Sequence, residues 1–246
     1  MNKASWQTLG LILIALLLTA CAVGSSLKIG DAFTVNSYQV KLVQVETRPA
    51  IIAATSDRIC STDPQQNDST WLVLTVEVAN KGSSVSPLSL SASDTAVVDA
   101  SGKHAPLSGV GVSIEEGAGF VLAFVDEKKL AQGWLASGAK GHVFVIPEGS
   151  KKLIIAGKPG TVIGNPEGPQ WDLGKLSPDG TIQVSLLFEI PKDTTELTWQ
   201  FLGSPPAKLP GHQTESAPEE RGPTFTISMT DNELCQLAEP LELECP

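Results

Sequence analysis

Apolar and polar residues alternate with period two along this chain, and no sustained helical period appears after residue 20; that pattern decides the fold class. In Trp71–Asn80, Leu72, Leu74, Val76 and Val78 share one face while Trp71, Val73, Thr75 and Glu77 take the other. Ile182, Val184, Leu186, Phe188 and Ile190 form a second row of this kind. Successive side chains of a strand point to opposite sides, so each row predicts one buried sheet face. In Tyr38–Glu46 the phase slips, from Tyr38, Val40 and Leu42 on one face to Val43 and Val45 on the other. One extra residue near Leu42, a β-bulge or local twist, reconciles the two halves. Asn80-Lys81-Gly82, Ala100-Ser101-Gly102 and Pro178-Asp179-Gly180 punctuate the runs as turns. Short strands joined this way predict an all-β fold, an antiparallel β-sandwich.

A strand–proline–strand pattern occurs twice. Phe144, Ile146, Pro147 and Leu153 recur at the same offsets as Phe188, Ile190, Pro191 and Leu197. Proline lacks the amide donor and ends a ladder, so each copy is expected to be a hairpin. The expectation is a duplicated C-terminal hairpin inside one sandwich, with two small domains as the alternative. Leu197, Trp199 and Phe201 should then face the Ile182–Ile190 row. Full burial of each large apolar side chain is worth about 1.5–3 kcal/mol, so these rows belong to the core.

The first 20 residues read as an export signal: Lys3, an apolar run from Leu9 to Leu18, then small residues. Leu18-Thr19-Ala20-Cys21 resembles the lipobox of bacterial lipoproteins, which implies acylation of Cys21 and cleavage before it. The apolar run is too short to span a bilayer, which takes about 20 residues. Two or three acyl chains would hold the protein at the membrane almost permanently. The tether Ala22–Ser26 reaches no more than roughly 20 Å, so the domain is expected close to the lipid. Position two of the mature chain is Ala22 and not Asp, which by the lipoprotein sorting rule implies the outer membrane if the host has two membranes.

The formal charge is −10, one unit more negative once Lys3 leaves with the signal. An acidic chain without a basic run is repelled by phosphate backbones, which argues against nucleic-acid binding. It also assigns membrane contact to the lipid and not to a polybasic face. A single tyrosine, Tyr38, and few other aromatic residues speak against a carbohydrate-stacking platform.

With Cys21 acylated, Cys60, Cys235 and Cys245 remain, enough for one disulfide outside the cytoplasm. The favoured pairing joins Cys60 to Cys235, stapling the tail to the body, with Cys245 as the alternative partner. No CxxC or other zinc spacing occurs, and nothing points to a metal or a cofactor. Gly157–Gly168 is glycine-rich but lacks phosphate-loop spacing and is expected to be a connection.

Asp31–Glu46, Trp71–Asn80, Ser89–Gly102 and the Phe-x-Ile-Pro stretch at Phe188–Pro191 together resemble an immunoglobulin-like domain of unknown function found in many bacterial lipoproteins. That family is similar in fold to a mycobacterial immunoprotective extracellular protein. The resemblance covers about residues 28–203 and implies an immunoglobulin-like sandwich with no catalytic residues to carry over. The chain thus divides into a signal (1–20), a lipidated tether (21–27), the sandwich (28–203), a Pro-rich linker or loop (204–223), and a late strand with an acidic, cysteine-bearing tail (224–246).

Candidates for chemistry are sparse. His142 falls in phase with Phe144 and Ile146 and is expected to be structural; His104 sits by a turn and His212 in the Pro-rich stretch. There is no nucleophile-elbow pattern, although a Ser–His–acid triad is recognised by geometry and not by spacing. The Ser56–Thr70 loop carries Asp57, Asp63, Asn67 and Asp68, oxygen-rich but without EF-hand order. Trp134 and Trp171 are expected to be core or edge-covering residues. The expected function is a non-catalytic, lipid-anchored interaction or binding module of the cell envelope, whose partner is an envelope protein or component. A small-ligand or ion-binding receptor is the alternative, with the Asp63–Asp68 loop as its first suspect.

Overall fold

The computed structural model describes residues 25–54, 59–114, 120–126, 129–137, 141–146, 152–156, 162–164, 170–214, 224–228, 230–238 and 244. Its first strands are β1 Ala32–Val35, β2 Tyr38–Arg48, β3 Ile51–Ala54, β4 Ile59–Thr62, β5 Ser69–Asn80, β6 Ser86–Ser91, β7 Thr95–Asp99 and β8 His104–Ile114. Then follow β9 Phe120–Asp126, β10 Lys129–Ser137, β11 Gly141–Val145, β12 Lys152–Ala156, β13 Val162–Gly164, β14 Gln170–Leu176 and β15 Thr181–Pro191. The chain closes with β16 Leu197–Phe201, β17 Ala207–Lys208, β18 Gln213–Thr214, β19 Thr224–Ser228 and one helix, α1, Asp231–Ala238.

The main sheet runs β1-β2-β5-β15-β8-β11-β3-β4, antiparallel except where β3 joins β11 in parallel. Only Pro49 and Ala50 separate β2 from β3, yet β3 lies five strands along the ladder. Flat strands at about 4.8 Å spacing would put them about 24 Å apart, far beyond the reach of two residues. The sheet therefore curls until its β3 side returns to β2. Ile51, Ala53, Trp71, Val73, Phe144 and Leu187 pack together on the concave side.

The second layer covers the convex side. It consists of the sheet β19-β10-β9-β12-β13-β14-β6 and a strip in which β16 pairs with β7 and β17. One continuous core lies between the layers, drawing Leu74 and Val76 from β5, Leu90 from β6, Trp171 from β14, and Trp199 and Phe201 from β16. Among the described residues that core draws on the chain from Leu27 to Leu209. The faces of β5 divide as the alternation requires: Leu72, Leu74, Val76 and Val78 join the convex core, Trp71 and Val73 the concave cluster. In β2 the register breaks between Leu42 and Gln44, the bulge expected there.

The strands on either side of Pro147 and of Pro191 are present, Pro147 itself lying outside the described residues, but the strands of each copy do not pair with each other. β11 bonds to β8 and β3 while β12 bonds to β9 and β13; β15 bonds to β5 and β8 while β16 bonds to β7 and β17. Each copy carries the chain from one layer to the other. Pro191, at the end of its ladder, lets the chain depart, and the apolar rows then meet across the core. The stretch 204–223, expected to be a Pro-rich linker or loop, is described as far as residue 214. Ala207 and Leu209 are buried in the core, β17 pairs with β16, and β18 pairs with β2. Alternate apolar residues outweigh the local proline content there. The late strand expected at Thr224–Thr230 is β19, paired with β10. Beyond it Thr230 caps α1, its hydroxyl and amide both donating to the Glu233 carboxylate at 2.7 and 2.8 Å.

Asn80 pins the edge where β5, β14 and β15 meet. Its fully buried side chain donates to the carbonyls of Ser84 and Leu176, each at 2.8 Å, and accepts from the Gly82 amide at 2.9 Å. Asn80→Ala leaves the buried Leu176 carbonyl without that donor and is expected to cost about 2–3 kcal/mol in urea unfolding. Lys81→Ala, which removes only an exposed ion pair with Asp179, should cost well under about 1 kcal/mol. Equal losses would refute the pinning role.

Candidate functional site

Two groupings stand out, one sealed and one open. The sealed one lies inside the curled sheet. Glu46 of β2 and His142 of β11 come from strands four apart in the ladder, and curvature brings them together: His142 Nε2 lies 2.8 Å from Glu46 Oε1. Arg48 Nε donates to the same oxygen at 2.7 Å, and Gln44 Nε2 to Oε2 at 2.9 Å. Across the imidazole, His142 Nδ1 is 2.8 Å from Ser185 Oγ, which lies 3.4 Å from Thr75 Oγ1.

Burial raises the Glu46 pKa, but hydrogen bonds and charge from His142 and Arg48 outweigh it and bring the group to about 2. The carboxylate is therefore ionised and accepts only, so His142 Nε2 carries a proton and donates to it.

Serine, histidine and carboxylate thus stand in one chain of hydrogen bonds, which sequence spacing did not reveal. Ser185 is wholly buried and His142 only 4% exposed, so no substrate carbonyl can approach without the sheet opening. The serine also bonds Nδ1 and the acid Nε2, the reverse of the arrangement in the chymotrypsin-type triad. The geometry is that of a closed polar network holding β2, β15 and β11 together, the structural role expected for His142.

The open grouping forms where β8 leaves one neighbour for another. Its first residues, His104–Pro106, pair with β7; from Leu107 onward it pairs with β15. Between the diverging strands lies a cleft of about 560 Å³, within the range of small-ligand pockets. Ala105, Pro106 and Ser108 form one bank and Glu189–Pro191 the other. Trp71 and Ile146 line its apolar part, while Gln65, Gln66, His104 and Asp99 supply polar groups. Trp71 is fixed by its Nε1 donating to the Thr62 carbonyl at 3.0 Å. Glu189 Oε1 accepts the Gln66 amide at 2.8 Å, setting the rim. The Ser101 hydroxyl and the Lys103 amide hold the Asp99 carboxyl below its ordinary pKa.

The other residues singled out in the sequence are dispersed. His104 is exposed beside the cleft. His212 is half-buried by the chain around it, which lowers its pKa against a hydrogen bond with the Thr194 backbone. Asp63, Asn67 and Asp68 are exposed, and the Lys192 ammonium occupies the Asn67 carbonyl at 2.8 Å. Among the described residues, no three His, Cys, Asp or Glu side chains cluster to hold a metal. Trp171 is core, its Nε1 donating to the Val145 carbonyl at 2.8 Å. Cys235 is half of a disulfide. Cys21, Asp57, Cys245 and the side chains of Cys60 and Trp134 lie outside the described residues.

No protein-family model and no curated protein sequence matches the chain. Among solved structures it is similar to an uncharacterised β-sandwich protein from Clostridium difficile 630, at 9% identity over 76% of this chain and 91% of that one, with a TM-score of 0.31. It is also similar to a conserved hypothetical protein from Bacillus anthracis, at 10% identity over 73% of this chain and 92% of that one, with a TM-score of 0.36.

Proposed function

We propose that this protein is a lipoprotein of the bacterial cell envelope, anchored through acylated Cys21, and that it acts as a non-catalytic binding module through the β8/β15 cleft. The carrying observation is the division of polar groups. The Ser–His–carboxylate chain is sealed in the Glu46–His142–Ser185 network, while the open cleft offers the Gln65 and Gln66 amides, the Asp99 and Glu189 carboxylates, His104 and an apolar floor. Such a lining suits recognition of another molecule better than turnover. Its partner is an envelope protein or component on the extracytoplasmic side of the membrane, the outer membrane where the host has two. The start of the fold supports close anchoring. The Lys208 amide donates to the Ser25 carbonyl and the Leu27 amide to the Lys208 carbonyl, so Ser25, four residues after Cys21, is held against the sandwich.

Two measurements test the reading. Mass spectrometry of the native protein should find diacylglycerol on Cys21, and Cys21→Ser should move the protein from the membrane to the soluble fraction. For the cleft, Ser108→Trp places a ring between the banks. Capture of a partner from detergent-solubilised envelopes should weaken by at least about tenfold, or ~1.4 kcal/mol. Val85→Trp, away from the cleft lining, should leave capture unchanged. Undiminished capture by the Ser108→Trp protein would exclude the cleft.

A further inference from the structure

We propose that the turn Lys28–Asp31 is a membrane-docking tip, with the Ile29 side chain seated in the lipid surface beside the anchor. The proposal deepens the anchored reading given above and rests on it. Among the described residues only Ile29, Val85 and Leu135 are large apolar side chains left exposed, and Ile29 is 54% exposed.

The turn that carries it is rigid. Asp31 N–H donates to the Lys28 carbonyl at 3.0 Å, closing a four-residue turn, and Lys28 N–H donates to Asp31 Oδ2 at 2.8 Å. Gly30 sits third in the turn with φ +92°, the left-handed value that a type II turn demands there. Ile29 therefore occupies the outer corner. Two further bonds, Gly30 N–H to the Leu42 carbonyl and Leu42 N–H to Asp31, lock the turn onto β2.

Distance from the anchor selects lipid as the occupant. From Cys21 to Ser25 is four residues, a span of at most about 14 Å. Ser25 is held against β17 and Ile29 lies four residues further on, so the tip belongs to the part of the domain that the anchor keeps at the bilayer. Exposed Lys28 stands beside it in the turn, while Lys41 of β2 reaches the other way, to Glu77 of β5 at 4.0 Å. On an otherwise acidic chain, an apolar corner beside a lysine suits a headgroup boundary, where the alkyl group enters and the Lys28 ammonium stays with the phosphates.

The test uses the full lipidated protein in phosphatidylcholine vesicles, with and without brominated acyl chains. Ile29→Trp should add fluorescence that is blue-shifted and lost in brominated vesicles. Val85→Trp, beyond the opposite end of β1, should add emission that bromine leaves unchanged. Flotation of the wild type reports anchoring separately. Protein that floats while the Ile29→Trp emission ignores bromine overturns the docking tip. Protein that does not float overturns both the tip and the anchored reading beneath it.

Discussion

Gly111→Ala is expected to lose about 3 kcal/mol or more of stability, the largest effect of any single methyl addition described here. Gly111 lies on β8 opposite Phe144 of β11, with Ser185 of β15 on its other side. A Cβ there runs into the Val143 carbonyl oxygen, and comes within 2.8 Å of Phe144 Cδ1 and 2.9 Å of Phe144 Cα. Two of those three atoms are backbone, so the collision cannot be relieved by a rotamer change. Only a shift of β11 against β8 would make room, and that shift opens the curl which brings Glu46 to His142. Gly109→Ala is the internal control: its Cβ meets Leu187 Cδ2 and the Val145 carbonyl at 3.3 Å, contacts that a few tenths of an ångström relieve. Its cost should be closer to 1 kcal/mol, within the usual range for overpacking (about 1–3 kcal/mol). Urea unfolding followed by near-ultraviolet dichroism measures both. A Gly111→Ala midpoint equal to that of the wild type would mean the strands do not approach this closely.

The second large effect is expected at Glu46. Removing its carboxylate in Glu46→Ala leaves the buried Arg48 guanidinium without the oxygen that accepts its Nε–H, and His142 without its acceptor. Breaking one side of a buried charged pair costs about 3–5 kcal/mol, and a loss in that range is expected. The pair also sets a pH dependence. The Glu46 pKa falls from 4.5 to about 2 on folding, which is worth about 3 kcal/mol. Because the folded value is the lower one, the unfolded chain takes up the proton first. The contribution is complete above about pH 4.5 and fades as pH falls toward 2. Wild-type stability should decline across that window more steeply than that of Glu46→Gln, which has no proton to bind there. Parallel pH profiles for the two proteins would show that the carboxylate is not held as described.

Much of the architecture was legible in the sequence because side-chain period is a local property. The alternation in Trp71–Asn80 and Ile182–Ile190 assigned both faces of the two central strands, and the slip after Leu42 located the bulge. Glycine turns at 80–82, 100–102 and 178–180 were legible for the same reason, since a turn is settled within four residues. Gly109 and Gly111, two side-chain-free positions on one face of β8, are where β11 approaches most closely.

Partnership was another matter. The residues flanking Pro191 say that two strands meet at a proline, but not whether they pair with each other or part into separate layers; that choice depends on where β7 and β17 lie. Likewise Glu46, His142 and Ser185 are separated by 96 and 43 positions in the chain. Each alone is an ordinary strand residue, and only curvature summed over four strand intervals places them within hydrogen-bonding distance. The sequence by itself determined which faces are apolar, where the chain turns, and the Cys21 motif. The tertiary structure decided which strands are neighbours, and with that both the sealed network and the cleft, because each arises from contacts between residues whose separation along the chain carries no record of their distance in space.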